Sequence, residues 1–160
     1  EVNNIALIEA AVEIFDTVLV STGASKWSEV GDIMRISEKD KLVLMHCVSS
    51  YPCPPEKVNL PRLDELKQLS NNAVGYSGHY FGINDAIAAM CRGATFIEKH
   101  FTTDQGLPGR DNKFAILPDQ MAKLCRFRDD YDQMNCNLGL DLQGCEIDTF
   151  ENYRGRWSKN

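Results

Sequence analysis

An α/β fold with a parallel sheet is the class this sequence predicts, and three observations predict it. Short, nearly unbroken apolar runs recur at residues 17–20, 41–47, 73–77 and 94–101, with amphipathic segments between them. Each run ends in small or polar residues that a packed core does not require. A parallel strand buried on both faces reads as a continuous apolar run, as Leu42-Val43-Leu44-Met45 does. Strands alternating with helices in this way indicate βα units.

The elements follow in order. Residues 4–15 read as an opening helix. Asn59 reads as a cap, with Pro61 in the first turn of a helix carrying Leu63, Leu66 and Leu69. Residues 84–92 place Ile83, Ala86, Ile87, Met90 and Cys91 on one helical face, and Gly93 stops the helix. Pro118 opens the longest helix, whose inner face is expected to be Met121, Leu124, Tyr131 and Met134. Residues 139–160 show no period and read as irregular structure packed on the outside. No linker or low-complexity stretch divides the chain, so one unit is expected.

Composition excludes several classes. The chain has 160 residues, 43% hydrophobic and 25% charged, which suits a globular domain. A net charge of −6 with unclustered Lys and Arg argues against a nucleic-acid surface. No apolar run reaches the roughly 18 residues of a membrane span. Glu1-Val2-Asn3-Asn4 lacks the basic start of a signal peptide, and without an initiator Met the chain reads as a piece of something longer. The six cysteines form no CxxC pair and no zinc-finger spacing, which points to reduced thiols in the cytoplasm. Cys47 and Cys91, within apolar stretches, read as small buried hydrophobes.

The chemistry is expected at the strand ends, because loops after the C-terminal ends of parallel strands build active sites. These ends are Ser21-Thr22-Gly23, His46 to Pro52, Gly75-Tyr76-Ser77-Gly78-His79, and Glu98-Lys99-His100-Phe101-Thr102. His79 and His100 sit at the tops of neighbouring strands and have two readings, hydrogen-bonded structural residues or ligands of one ion. Strand alternation puts Glu98 and His100 toward the interior, and Ile97, Lys99 and Phe101 toward the helices. Ser21, Ser49 and Ser77 are either turn residues or, with Gly23 and Gly78, a ring around a phosphate or carboxylate. His46 and Cys47 are adjacent on a strand, point to opposite faces, and so do not form a nucleophile and its base. Arg110-Asp111-Asn112-Lys113 is either solvated surface or a substrate contact.

Four stretches resemble the sialic acid synthase family: Val20 to Gly23, Met45 to Pro52, Val74 to His79, and Ile97 to Thr102 continuing to Pro108-Gly109-Arg110-Asp111. The resemblance implies the C-terminal half of a TIM (β/α)8 barrel, strands five to eight plus a tail over residues 1–160. It also implies a divalent metal, Mn2+ or Mg2+, held by His79 and His100. Catalytic roles fall on His79, His100 and Glu98, and substrate contacts on Glu1, Ser21, Ser49, Tyr51, Ser77 and Asp111.

The implied reaction condenses phosphoenolpyruvate with an N-acyl amino sugar, such as N-acetylmannosamine, to a nine-carbon 2-keto acid and phosphate. The implied partners are those two substrates, the N-terminal half-barrel and further copies in a homo-oligomer, with neither nucleic acid nor membrane. This chain departs from the family in four ways. Gly78 stands where many members have Asp, and Arg110 and Asn112 flank Asp111 where Pro and His are common. The phosphate-binding lysines belong to the first four strands, and an antifreeze-like C-terminal domain is missing. Two other functions compete: a Schiff-base aldolase using Lys99, and a non-catalytic half-barrel that binds phosphorylated ligands or a partner.

Overall fold

Branched and long aliphatic residues carry the strands β1 (Val18–Ser21), β2 (Leu42–Cys47), β3 (Val74–Gly78) and β4 (Phe96–Lys99). All are parallel and pair in chain order, with Ser21 opposite Met45, Cys47 opposite Ser77, and Ser77 opposite Glu98. Helices α1 (Ile5–Ile14), α2 (Trp27–Ile33), α3 (Arg62–Ser70), α4 (Asn84–Cys91), α5 (Pro118–Met134) and α6 (Ile147–Asn152) complete the chain. The four parallel strands curl into a half-barrel wall, with α1 to α4 packed on its outer face. The computed structural model describes residues 2–36 and 39–157. They gather into two compact units, Glu1–Arg128 and Asp129–Asn160. The sequence shows no linker there because α5 runs through the boundary.

Alternation along the strands separates two faces. Val18, Val20, Leu42, Leu44, Val74 and Tyr76 pack with Ile8, Val12, Val30, Ile33, Leu63, Leu66 and Ala89 in the main core between sheet and helices. The intervening residues, Leu19, Ser21, Val43, Met45, Cys47, Gly75, Ser77, Phe96 and Glu98, lie on the concave face. At its two margins that face leaves Leu19 47% and Phe96 38% exposed.

Several sequence expectations need correction. Helix α2 carries no strong sequence signal; it is closed by Glu29, whose carboxylate accepts from the Lys26 N–H at 2.7 Å. Asn59 does not cap α3 with its side chain; it takes a left-handed φ of 52°, and Pro61 occupies the cap. Cys91 is exposed, because the buried face of α4 is turned toward Asp85, Ala86, Ala89 and Met90. In α5, Leu124 is buried while Met134 is 71% exposed. Strand β4 ends at Lys99, and Phe101 instead forms an isolated parallel bridge with Ile116. In the second unit, residues read as irregular contain a 3-10 turn (Gly144–Glu146) and α6. There Arg154 stacks over the Phe150 ring at 3.7 Å.

His46 is wholly buried on the helix face, where its Nε2–H donates to the Val58 carbonyl at 2.7 Å. Its Nδ1 has no hydrogen-bond partner among the described residues. Burial, opposed by the Val58 bond and joined by the Arg62 charge, holds this imidazole below its usual pKa. The folded pKa is therefore lower than the unfolded one, near 6.5. The stability it confers is complete above about pH 6.5 and is lost as pH falls toward the folded pKa. Denaturant midpoints followed from pH 7.5 to 5 should fall in the parent and be flatter in His46→Phe. Equal slopes would show that His46 does not drive the acid loss.

Candidate active site

The site grows from the four strand ends. Thr22 is fully buried, and both its N–H (3.0 Å) and its hydroxyl (2.9 Å) donate to the Met45 carbonyl. This fixes Ser21 and Gly23 against β2. Cys47 Sγ lies 3.9 Å from Ser49 Oγ and 3.8 Å from His79 Nδ1, and the Ser21 hydroxyl also reaches it. Gly23 presses on the same group: a Cβ there would meet Cys47 Sγ at 2.8 Å and run into Ser49 Oγ. Ser21 and Ser49 therefore meet at a cysteine, with Ser77 beside it in register on the next strand.

Ser77 Oγ donates to Glu98 Oε1 at 3.0 Å, so its proton reaches an incoming anion only once Glu98 lets go. Burial raises the Cys47 thiol, but His79, Ser21 and Ser49 outweigh it and the net shift is downward. His46 indeed points away from Cys47, as alternation requires. The imidazole beside Cys47 belongs to His79, from the next strand.

His79 and His100 converge, their ring centroids 5.2 Å apart. His79 Nδ1 is 2.8 Å from the Val48 carbonyl, which only accepts, so that nitrogen carries the proton. Neutral His79 then offers its Nε2 lone pair. The Cys53 N–H donates to the His79 carbonyl at 2.8 Å and ties the β2 and β3 loops together. Tyr51, next to a cis Tyr51–Pro52 bond, places its ring 4.2 Å from His79 and 5.9 Å from His100. Phe114 packs 5.1 Å from His100 and 6.2 Å from Tyr51, so the three rings form one cluster. Burial lowers the His79 imidazole, yet the Cys47 and Val48 contacts exceed it and raise it overall. His100 is lowered by burial and then by His79, with Asp111 opposing.

The remaining expected residues sort clearly. Asp111 Oδ2 lies 3.7 Å from His100 Nδ1, beyond hydrogen-bond length, and is 43% exposed on its side chain. Asn112 closes its own loop by donating to the Leu107 and Pro108 carbonyls, and Arg110 and Lys113 are exposed. Glu1 lies outside the described residues. Lys99 faces the helices, as expected, and its side chain is only 2% exposed in an ion pair with Asp85. A carbonyl substrate on the concave face cannot reach it, so the aldolase alternative loses its nucleophile.

Sequence reasoning missed three residues. Cys47 was read only as core. Phe114 opens the buried triplet Phe114-Ala115-Ile116, a legible apolar signal after a charged loop. Asp85, buried in the first turn of α4, carries no signal of that burial in the sequence pattern.

Among the described residues no group of three or more His, Cys, Asp or Glu side chains is gathered to hold a metal. His79 and His100 alone supply two ring donors, with His79 fixed in the ligating tautomer by Val48. Two imidazole donors could hold a borderline divalent ion that completes its shell with water or substrate, and they are too few for a closed four-ligand structural site.

The sequence model of the NeuB family matches residues 1–137. The chain belongs to the NeuB family. Among its relatives, an N,N'-diacetyllegionaminic acid synthase of Campylobacter jejuni is 32% identical over 78% of this chain and 39% of its own length. An N-acetylneuraminate-9-phosphate synthase of Drosophila melanogaster is 36% identical over 78% of this chain and 34% of its own. A crystal structure of N-acetylneuraminic acid (sialic acid) synthetase from Leptospira borgpetersenii, in complex with citrate, superposes with a TM-score of 0.82 at 33% identity. It covers 99% of this chain and 56% of that one. This NeuB-family chain thus spans less than two-fifths of these curated relatives and about half of that structure.

Proposed function

We propose that the full protein containing this chain condenses phosphoenolpyruvate with an N-acyl amino sugar, giving a nine-carbon 2-keto sugar acid and phosphate. The observation that carries the reading is the His79–His100 pair, 5.2 Å between centroids, beside the Ser21, Ser49 and Ser77 cluster at the strand ends. The names of the relatives, synthases of sialic and legionaminic acids, support the product class.

In this reading His79 and His100 hold Mn2+ or Mg2+, which when bound supplies a Lewis acid for the sugar aldehyde. Ser21 and Ser49, with the backbone approach that Gly23 permits, donate to the anionic oxygens of phosphoenolpyruvate. Ser77 joins them on leaving Glu98. Tyr51 and Asp111 line the sugar side. C3 of phosphoenolpyruvate bonds to the aldehyde carbon, whose oxygen takes up a proton to become a hydroxyl, and water adds to the electron-poor C2. Glu98, the carboxylate on the concave face, takes the proton that water gives up. The tetrahedral centre then collapses to the ketone, its C2–O bond to phosphate breaks, and phosphate leaves. One water is consumed for each phosphate released.

The serines test the assignment. In the full-length protein, Ser77→Ala removes one donor to a charged ligand, worth about 1.5–3 kcal/mol. The KM for phosphoenolpyruvate should rise roughly ten- to hundred-fold, with that of the sugar nearly unchanged. An effect confined to the sugar would move Ser77 to the other subsite.

A further inference from the structure

The concave face is backed by a buried charged group that the chemistry above does not use. Lys99 Nζ donates to both oxygens of Asp85, at 2.9 and 3.2 Å, and to the Tyr80 carbonyl at 2.8 Å. Tyr76 Oη donates to the same Asp85 at 2.9 Å. The Lys99 and Asp85 side chains are each 2% exposed, so neither touches a ligand from solvent. The three protons of the ammonium are all engaged.

The connectivity gives the network its meaning. Lys99 immediately precedes His100, and Tyr80 immediately follows His79. One ammonium therefore joins the backbone beside the first histidine to the residue beside the second. Asp85, reaching in from α4, ties that ammonium to Tyr76 on β3. Gly78 makes room for it: a Cβ there would run into the Asp85 carboxylate and stand 2.6 Å from Tyr76 Cε1 and 3.0 Å from Lys99 Cδ. A side chain at 78 and a carboxylate from 85 exclude each other in this arrangement. Buried ion pairs are a weak source of stability but a strong geometric constraint, since breaking one strands a charge.

We propose that the Tyr76–Asp85–Lys99 network is a positioning clamp that holds His79 and His100 at their mutual distance from behind the sheet. The inference deepens the reading of the two histidines as an active pair and rests on it. Its residues are positioning residues, because they act through the backbone and never meet substrate.

The test uses the full-length protein with Tyr76→Phe, Asp85→Leu and Lys99→Met combined, which removes every charge and leaves apolar groups, a replacement that folded proteins tolerate. Lys99→Met alone is the harsher comparison. Ring-proton contacts of His79 with His100 and Tyr51 are read by NMR on histidine- and tyrosine-labelled protein, and Mn2+ affinity by electron paramagnetic resonance. The expected result is a folded triple variant with weakened ring contacts and a loss of Mn2+ affinity of about ten-fold or more, the range for outer-shell partners of a metal site. Gly78→Ala should weaken the same contacts. A folded triple variant with unchanged ring contacts overturns the clamp. Absence of Mn2+ binding in the parent instead strikes the metal reading, and the ring contacts still decide the clamp.

Discussion

Alanine at either His79 or His100 in the full-length protein is expected to lower turnover by about a thousand-fold or more, which corresponds to about 4 kcal/mol of transition-state stabilisation. The two rings are contributed by the ends of β3 and β4 and meet at 5.2 Å without help from any third histidine. The His79 Nδ1 is engaged by the Val48 carbonyl, which leaves Nε2 as the ring nitrogen that can bind an ion when the imidazole is neutral. A Lewis acid held there contributes several kcal/mol to a developing oxyanion, and two ring donors leave little redundancy when one is lost. The single and double variants should be nearly equal, since groups acting as a unit are not additive. Mn2+ binding should disappear in each. Retained Mn2+ binding and turnover in His100→Ala would return both histidines to structural roles.

The second large effect concerns the 160-residue chain by itself, which is expected to show no condensation and to self-associate or stay molten. Strands β1 and β4 each have one partner in the sheet, and open parallel edges recruit other chains. Near those edges Leu19 and Phe96 expose apolar surface on the concave face, where a closed barrel stacks side chains in layers. On the chemical side, phosphoenolpyruvate is a multiply charged anion, and Ser21, Ser49 and Ser77 offer only hydroxyls. Charge-assisted hydrogen bonds are about twice as strong as neutral ones, so a phosphate without cationic partners is weakly held. Lys99 cannot serve, being committed to Asp85. Sedimentation and phosphate release should show an associating, inactive species, and supplying the missing half fused or in trans should restore both a monodisperse state and turnover. Turnover by the purified monomeric chain, dependent on both substrates, would refute the half-barrel assignment.

The strands and most helices were legible because their causes are local. Leu42 to Met45 is apolar on both faces, and Pro118 marks a helix start with little ambiguity. The inward direction of Glu98 and the outward direction of Lys99 followed from period two alone, and the Ser77–Glu98 and Lys99–Asp85 contacts agree. What escaped the sequence depends on register and on loops. Cys47 becomes the hub of the serines only because Ser77 pairs beside it and His79 folds back over it. Phe114 reaches His100 through a return of the chain that bonds Ile116 N–H to the His100 carbonyl at 2.8 Å. Asp85 is buried only because Gly78 has no side chain, a coincidence between a strand and the following helix that no periodicity encodes.

The most direct measurement follows one oxygen. The full-length protein is incubated with N-acetylmannosamine, Mn2+ and phosphoenolpyruvate labelled with 18O at the bridging C2–O position, and the products are read by mass spectrometry. The proposed chemistry breaks the C2–O bond, so the released phosphate should carry the label and the sugar product should be a nine-carbon 2-keto acid formed in equal amount. Unlabelled phosphate, or phosphate released without a nine-carbon acid, would contradict it.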